Sequence, residues 1–558
     1  MKRNTILKLS LLVMVLTHFG CKKILDERPK SQLTAAFFLT PQGLQSGLDA
    51  AYGGNRYIYG SENFFTLTVG GTDEFTAGSD AGSNGDLFRY NSSFNSSSGP
   101  VSAIWRYCYT YINSCNAVID YAQKVSGLSV AAQSQATAEA KFLRANYYFM
   151  LIQLYGDVTL NDHYQSEPAT SATRTPIADV YKFIIQDLED AINVLPASPK
   201  LSSVLPGKAT KAAAMHLLAK VYLTRAGSVV KQAEDYKNSY TIATDLINNV
   251  APANGLALLQ DFGSVYAEGN EASSEVLWTV QHTSTLAYNG TTGYVDGDNA
   301  LCHFFIPKYD LQPGMQRDLA GGRSFTRVMP THWLTDVLFQ ERVNDKRYDK
   351  TFKTVWISNN AATIPKVSGV PKYAVGDTAI WMPGYEVSAA YVAAKRFQVI
   401  PPSKYSNSLF PSLTKYYDTK RADRQFPSIR PIIVYRLAET YLIATEALFM
   451  DGRVTDALPY INAVRERAAY PSANPKVMDV QASSLSIDFI LDERAKELCG
   501  EQMRWFDLVR TNKLLERVRL YNPDAAQNIQ AKHVLRPIPQ SQIDATSTGV
   551  KYPQNTGW

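Results

Sequence analysis

The chain has 558 residues, of which 45% are apolar and 19% charged, and its net charge is +5. That apolar content suffices for one large body or two to three ordinary domains, and the positive charge is spread without a basic block, which argues against a nucleic-acid partner. Five cysteines, one of them Cys21, do not make a disulfide framework. Cys108 and Cys115 fall about 10 Å apart along one predicted helix, too far to bridge, and read as small core residues.

The first element is a leader. Lys2 and Arg3, the apolar run Ile6 to Leu16, and small Gly20 before Cys21 form a secretory signal ending at a cysteine. The run is shorter than the about 20 residues of a membrane-crossing helix, and no second run approaches that length. The mature chain is therefore expected to start at Cys21, lipidated there, with acyl chains inserting at about 0.8 kcal/mol per buried methylene. His18 stands where such signals usually carry leucine. The expected organisation is a signal peptide at 1–20, a lipidated tether at 21–34 and a single body at 35–558. Within that body the helical parts fall at about 35–56, 101–253 and 427–520, and variable, loop-rich parts at about 57–100 and 254–426.

Helices dominate the body. Thr40 and Pro41 offer an N-cap and a first-turn proline before Leu44, Leu48, Ala51 and Tyr52. Tyr57 to Pro100, rich in Gly, Ser, Asn and Asp, reads as loop. Ile104, Cys108, Tyr111, Cys115, Val118 and Ala122 share one helical face, as do Ala140, Leu143, Tyr147, Met150, Leu151 and Leu154. Further helices are predicted after the Thr175–Pro176 cap, over Lys208 to Ala226 and over Gln232 to Val250. From Asn254 to Phe426 the pattern is mixed, with strands predicted at Val276 to Val280 and Tyr391 to Val399. Helices return at Pro431 to Phe449 and Thr455 to Ala468, and a last one, capped by Ser486, runs to about Cys499.

The tetrad Ala-x-x-Tyr recurs at Ala145 and Tyr148, Ala219 and Tyr222, and Ala438 and Tyr441, each time followed by a glycine. Alanine admits a close neighbour and tyrosine one turn on fills the groove beside it, as in stacked tetratricopeptide-like hairpins. The fold class is thus mainly α, with helical hairpins supporting an irregular region that holds short β-hairpins.

Three stretches carry a family resemblance: EAKFLRANYYFMLIQLYGDVTL from Glu139, RPIIVYRLAETYLIATEALFMDGRVTDALPYINAVRERA from Arg430, and DERAKELCGEQMRWFDLVRTNKL from Asp492. Together with the opening CKKILDERPKSQLT and the ending LRPIPQSQIDATSTGVKYPQNTGW, they resemble the RagB/SusD family of Bacteroidetes outer-membrane nutrient-binding lipoproteins. The resemblance covers nearly the whole chain. The chain departs at Cys499, Gly500 and Glu501 and in ending on Trp558. The resemblance implies four tetratricopeptide-like hairpins, a place on the outer face of the outer membrane, and a SusC-like TonB-dependent transporter as partner, to which a captured oligosaccharide is handed uncleaved. Arg494, Glu497, Arg504, Trp505 and Asp507 in the third stretch are expected to be architectural, pairing internally near a helix end.

No His-Glu-x-x-His, Gly-x-Ser-x-Gly or phosphate-loop motif occurs, and the seven histidines are scattered, so no catalytic residues are assigned and no enzyme activity is expected. No cofactor is expected either. Asp296, Asp298 and Asn299, and likewise Asp80, Asn84 and Asp86, carry oxygen ligands of the type calcium takes, but they lack a full calcium-loop pattern and read as solvated turns. Sugar recognition needs aromatic faces for the C–H face of a pyranose and planar polar groups for its hydroxyls. The candidates are Asp73, Glu74, Arg89 and Tyr90, with Phe75 between them; Tyr288, Tyr294 and Asp296, with Asn289 and Asp298; and Trp381 with Tyr385. Trp105 and Trp505 are assigned to the core. The function expected is capture of oligosaccharide at the cell surface for import. The alternatives are a helical-repeat adaptor that binds only protein and a glycan-cleaving enzyme.

Overall fold

The computed structural model describes residues 35–285, 289 and 296–558. Helix α1 (Pro41–Gly53) starts as expected, the Thr40 hydroxyl accepting the Gly43 N–H at 3.0 Å with Pro41 in the first turn. The segment predicted as loop is instead part of the interior. It holds helix α2 (Glu62–Thr68), strand β1 (Phe75–Ala77) and a short helix at Asn84–Phe88. Phe64, Phe65, Leu67, Phe75, Phe88, Tyr90 and Phe94 are all buried. Its glycines serve packing: a Cβ on Gly70 would lie 2.2 Å from the Phe88 ring, so only glycine lets the backbone cross that face.

The helical array comprises α3 (Gly99–Tyr121), α4 (Val130–Tyr155), α5 (Ile177–Val194), α6 (Lys211–Ala226), α7 (Asp235–Asp245), α8 (Leu437–Met450) and α9 (Val454–Ala468). Each packs against the next, and α7 meets α8 across the whole intervening segment. The tetrad alanines Ala145, Ala219 and Ala438 are fully buried, which is what close helix approach requires. Tyr148 fills its groove and ties down the following turn, its hydroxyl donating to Asn161 O at 2.9 Å and accepting from Asn161 N at 2.7 Å. Helix α5 differs from expectation at its start: the Asp157 carboxylate, not Thr175, accepts the free Ile177 N–H at 2.8 Å.

Strand β2 (Val276–Val280) forms where predicted. Strand β3 (Val328–Pro330) pairs antiparallel with β1, Phe75 opposite Pro330. A lobe follows. Strands β4 (Val355–Ile357), β5 (Thr378–Trp381) and β6 (Gln398–Val399) form a sheet in which β5 is central, antiparallel to β4 and parallel to β6. Trp356, Ile380, Met382 and Ile400 give the lobe its own core with Ile306, Tyr309 and Met315. Two predictions are corrected. Tyr391 to Val399 begins inside a short helix, Ala389–Ala394, because Ser388 caps the Tyr391 N–H at 3.2 Å, and only Gln398–Val399 at its end is strand. Pro431 to Phe449 opens with strand β7 (Ile432–Arg436), whose β-branched run pairs with β2, before α8 begins.

Helix α10 (Ile487–Glu497) takes its predicted Ser486 cap, the hydroxyl accepting Phe489 N–H at 3.1 Å, but it is not the last: α11 (Arg504–Arg510) and α12 (Leu514–Tyr521) follow. These helices dock through buried ion pairs. Arg436 on β7 reaches Glu275 at 2.9 Å, Glu497 at 2.6 Å and Glu501 at 2.9 Å, and Arg467 on α9 reaches Glu275 at 2.8 Å. Burial alone raises a carboxyl, but the Arg467, Arg436 and Arg347 guanidiniums outweigh it and hold Glu497 well below the usual range. Breaking one side of such a cluster leaves an unpaired buried charge, so it locks the order of the elements that contribute to it.

Candidate functional site

Among the described residues, aromatic groupings lie beside predicted site residues at two places. The first lies on α3, where Tyr107 and Tyr111 sit one turn apart on one face. Tyr57, from the 3₁₀ turn Gly54–Tyr57, packs on both, with ring centroids 5.0 Å from Tyr107 and 5.8 Å from Tyr111. Gly54 makes this approach possible, since a Cβ there would fall 2.2 Å from the Tyr111 ring. Tyr57 and Tyr111 remain half-buried and Tyr107 is buried.

Polar groups converge on the same face. The Asp296 carboxylate accepts the Tyr107 hydroxyl, takes a bond from Asn63 at 3.3 Å and lies 3.9 Å from the Arg106 guanidinium. Arg106 donates to the Tyr107 oxygen at 2.9 Å and lies 4.6 Å from that ring's centroid, while its side chain is 66% exposed. Burial and the Asp296 carboxylate push the Tyr107 hydroxyl up, so it stays a donor. Gly297, with φ at +100°, carries the chain past the Tyr57 ring, and Ala300 N–H then bonds Gly60 O at 3.1 Å. The base of the 281–305 loop is therefore pinned to this face. Tyr288 and Tyr294, predicted on that loop, lie outside the described residues. Asn289 is turned inward, accepting from Arg56 at 3.5 Å and donating to Ser428 O at 3.3 Å, and Asp298 is buried.

The second place is the lobe. Trp381 is half-buried and Tyr385 exposed, with centroids 6.3 Å apart and planes at 81°. Tyr391 joins them, 6.2 Å from Trp381.

The remaining predicted group is corrected by burial. Asp73 is fully buried, its carboxylate gripped by Arg504 Nε at 2.7 Å and Nη2 at 2.6 Å and by Arg517 Nε at 2.7 Å. Glu74 is buried beside it, accepting Gly500 N–H at 3.3 Å, and Tyr90 is buried with its hydroxyl on Gly71 O at 3.0 Å. Phe75 is buried too. All four are interior side chains, and Asp73 ties the 57–100 segment to α11 and α12. Arg89 stays half-buried at the rim, its carbonyl accepting from Asn528 at 3.0 Å. Arg494 with Asp507 at 2.8 Å, and Arg504 with Asp73, show the motif charges pairing internally as expected, and Trp105 and Trp505 are in the core. Tyr57, Asn63, Arg106, Tyr107, Tyr111 and Tyr391 were not among the predicted site residues. The i, i+4 spacing of Tyr107 and Tyr111 is the available signal, but only Tyr111 enters the predicted stripe, as a core position.

Among the described residues no group of three or more His, Cys, Asp or Glu side chains is placed to hold a metal ion. Of the groups considered for calcium, the Asp80 carboxylate pairs with Lys308 and the Asp86 carboxylate accepts from Asn91 at 2.6 Å, while Asn84 and Asn299 donate through their amide nitrogens, to Glu62 at 2.9 Å and to Arg430 O at 3.1 Å. Among the described residues no helix is long and apolar enough to cross a membrane.

Comparison with known proteins agrees with this architecture. The model of the SusD family matches residues 328–558, and a second family model, described as starch-binding and associating with the outer membrane, matches residues 23–223. A SusD-like protein, P2, of Formosa agariphila is 26% identical over 517 residues, covering 90% of each chain. The crystal structure of a SusD homologue from Bacteroides thetaiotaomicron superposes with a TM-score of 0.73 at 21% identity, over 93% of this chain and 97% of that one. A laminarin-binding SusD-like protein gives 0.67 at 23%, over 93% of this chain and all of the other. With family models matched at both ends, relatives aligned along most of the length and the same mainly helical fold, the chain belongs to the SusD/RagB family.

Proposed function

We propose that this protein captures oligosaccharide at the cell surface without cleaving it and passes it to a SusC-like TonB-dependent transporter in the outer membrane, to which it is anchored through lipid on Cys21. The observation that carries the sugar reading is the Tyr57, Tyr107 and Tyr111 face with Asn63, Arg106 and Asp296 at its edge. Rings of this kind cover the C–H face of a pyranose, while a carboxylate, an amide and a guanidinium at the rim pair with hydroxyls in the ring plane. A starch-binding family model and a laminarin-binding structural neighbour support the ligand class.

Calorimetry against plant and host oligosaccharides tests the reading. Tyr294→Ala and Asp296→Ala should each lower affinity about five- to thirtyfold, the about 1 to 2 kcal/mol of a good stacking or hydrogen-bonding contact, with little change in melting temperature. A parent protein that binds no sugar would favour the protein-only adaptor, and shortening of the oligosaccharide on incubation would favour an enzyme.

A further inference from the structure

Building on the glycan-binding reading, we infer that the lobe carries a second sugar subsite, separate from the α3 face, that takes one terminal or branching pyranose unit rather than the middle of a chain. Strand β5 shows why Trp381 is presented outward. Ile380 before it and Met382 after it are fully buried in the lobe core, so the alternation of the strand turns Trp381 to the other face, beside its cross-strand partner Val355, which is exposed. Its backbone is held on both sides: Trp381 O accepts Ile400 N–H at 2.9 Å and Met382 N–H donates to Thr354 O at 2.8 Å. The backbone under Trp381 is thus fixed, and its half-buried ring lies on the face of β5 opposite the Ile380 and Met382 side chains that fill the lobe core.

The chain then turns at Gly384, with φ at +72°. A Cβ there would lie 2.1 Å from the Arg342 guanidinium and 2.7 Å from the Tyr348 hydroxyl, and that guanidinium is stacked 3.4 Å from the Tyr348 ring centroid. The turn is clamped, and Tyr385, 56% exposed, leaves it in one direction. Glu386 holds the next residues by accepting the Ser403 N–H at 2.7 Å and its hydroxyl at 2.9 Å. The Ala389–Ala394 helix, in which no residue is buried, adds exposed Tyr391, with the Lys395 ammonium 4.3 Å from its ring centroid.

Geometry sets what this corner takes. A sugar chain running straight across a surface offers its rings as a ribbon, and a matching platform has its aromatic faces nearly coplanar. Trp381 and Tyr385 stand at 81°, so they form a floor and a wall, and Tyr391, tilted 57° to Trp381, adds a second side. A ribbon uses only one of these faces. A unit with a free end stacks on the indole and still places its outer edge against a tyrosine, with the lysine ammonium as a hydroxyl donor.

The test uses the full chain labelled with 5-fluorotryptophan. Trp105, Trp278, Trp333, Trp356 and Trp505 are buried and Trp558 donates its indole N–H to Lys532 O and Leu535 O, so the half-buried Trp381 is the tryptophan at the proposed subsite, and its resonance is assigned with Trp381→Phe. The probes are methyl glycosides of glucose, galactose and mannose, linear malto- and laminari-oligosaccharides from trimer to heptamer, and branched laminarin. A saturable shift of the Trp381 resonance is expected, with affinity changing less than about threefold between trimer and heptamer. A response to linear probes identifies a chain end; a response to laminarin alone identifies a branch. Tyr385→Ala should weaken this response at least about fivefold while Asp296→Ala leaves it unchanged. Affinity at Trp381 that climbs with every added unit overturns the inference, as does a parent protein that binds a probe by calorimetry with its Trp381 resonance still. If no probe binds anywhere, the glycan-binding reading falls with it.

Discussion

Asp73→Asn separates an anchoring role from a ligand role for the residue that looked most like a sugar-binding acid. The carboxylate is fully buried and accepts three bonds of 2.6 to 2.7 Å from Arg504 and Arg517. Asparagine keeps the shape and removes the charge the two guanidiniums share; Arg517 keeps Asp488 at 3.2 Å and Asp492 at 2.5 Å, so the loss falls mainly on buried Arg504 and costs about 3 to 5 kcal/mol. Near 60 °C the unfolding entropy is about 2.1 cal/mol/K per residue, so a body of roughly 520 residues loses about 3 to 5 °C of melting temperature. The pH dependence follows from the native carboxyl. Burial raises it, but the Arg504 and Arg517 guanidiniums outweigh that and hold it below its ordinary value. A depressed acid stabilises the fold above its unfolded value of about 3.9 and loses that contribution as pH falls through the folded value, so the gap between parent and variant should be constant above about pH 5 and close below about pH 4. Scanning calorimetry across pH, paired with glycan titration, checks both halves. A variant of undiminished melting temperature that has lost sugar affinity would refute the reasoning.

Glu74 responds in the opposite sense. Burial pushes its carboxyl up to about 8 despite Arg504, so the neutral acid is the form the fold favours, and its contribution is full below the unfolded value and lost as pH rises through 8. Glu74→Gln should therefore match the parent near pH 4, gain on it as pH rises above about 4.5, and melt higher than it at pH 9; a variant less stable at pH 9 would contradict the assignment. Cys21→Ala should leave a folded protein that fractionates as soluble, because only acyl chains on that sulfur would hold it at the membrane; retention in the outer membrane after high salt and loss of the transporter would count against the anchor. The transporter should co-purify with this protein from detergent through an interface above about 2,000 Å², and recovery of free monomer alone from native membranes would argue against the partnership.

Local chemistry was legible where its partners are close in sequence. The Thr40 and Ser486 caps act three residues on, the helical stripes of α3 and α4 repeat every turn, and the Ala-x-x-Tyr tetrads mark the buried contacts between hairpins. Those signals, with the family strings, determine a mainly helical repeat fold from the sequence alone. What they did not reach were contacts made by distant residues. Arg504 and Arg517 lie 431 and 444 positions from Asp73, and only their arrival turns a polar, glycine-rich stretch into interior. Ile432–Arg436 is a strand because Val276–Val280 offers a ladder, although its own sequence continues into a helix. The tyrosine face is likewise a tertiary product. Tyr107 and Tyr111 look like core on α3, and it takes Tyr57 from another element, with Asp296 returning from far along the chain, to set them beside polar groups at a surface. Helical periodicity and caps are short-range and survive in one dimension; burial, ion pairing and strand partnership depend on which distant segments meet, and the tertiary structure alone decides that.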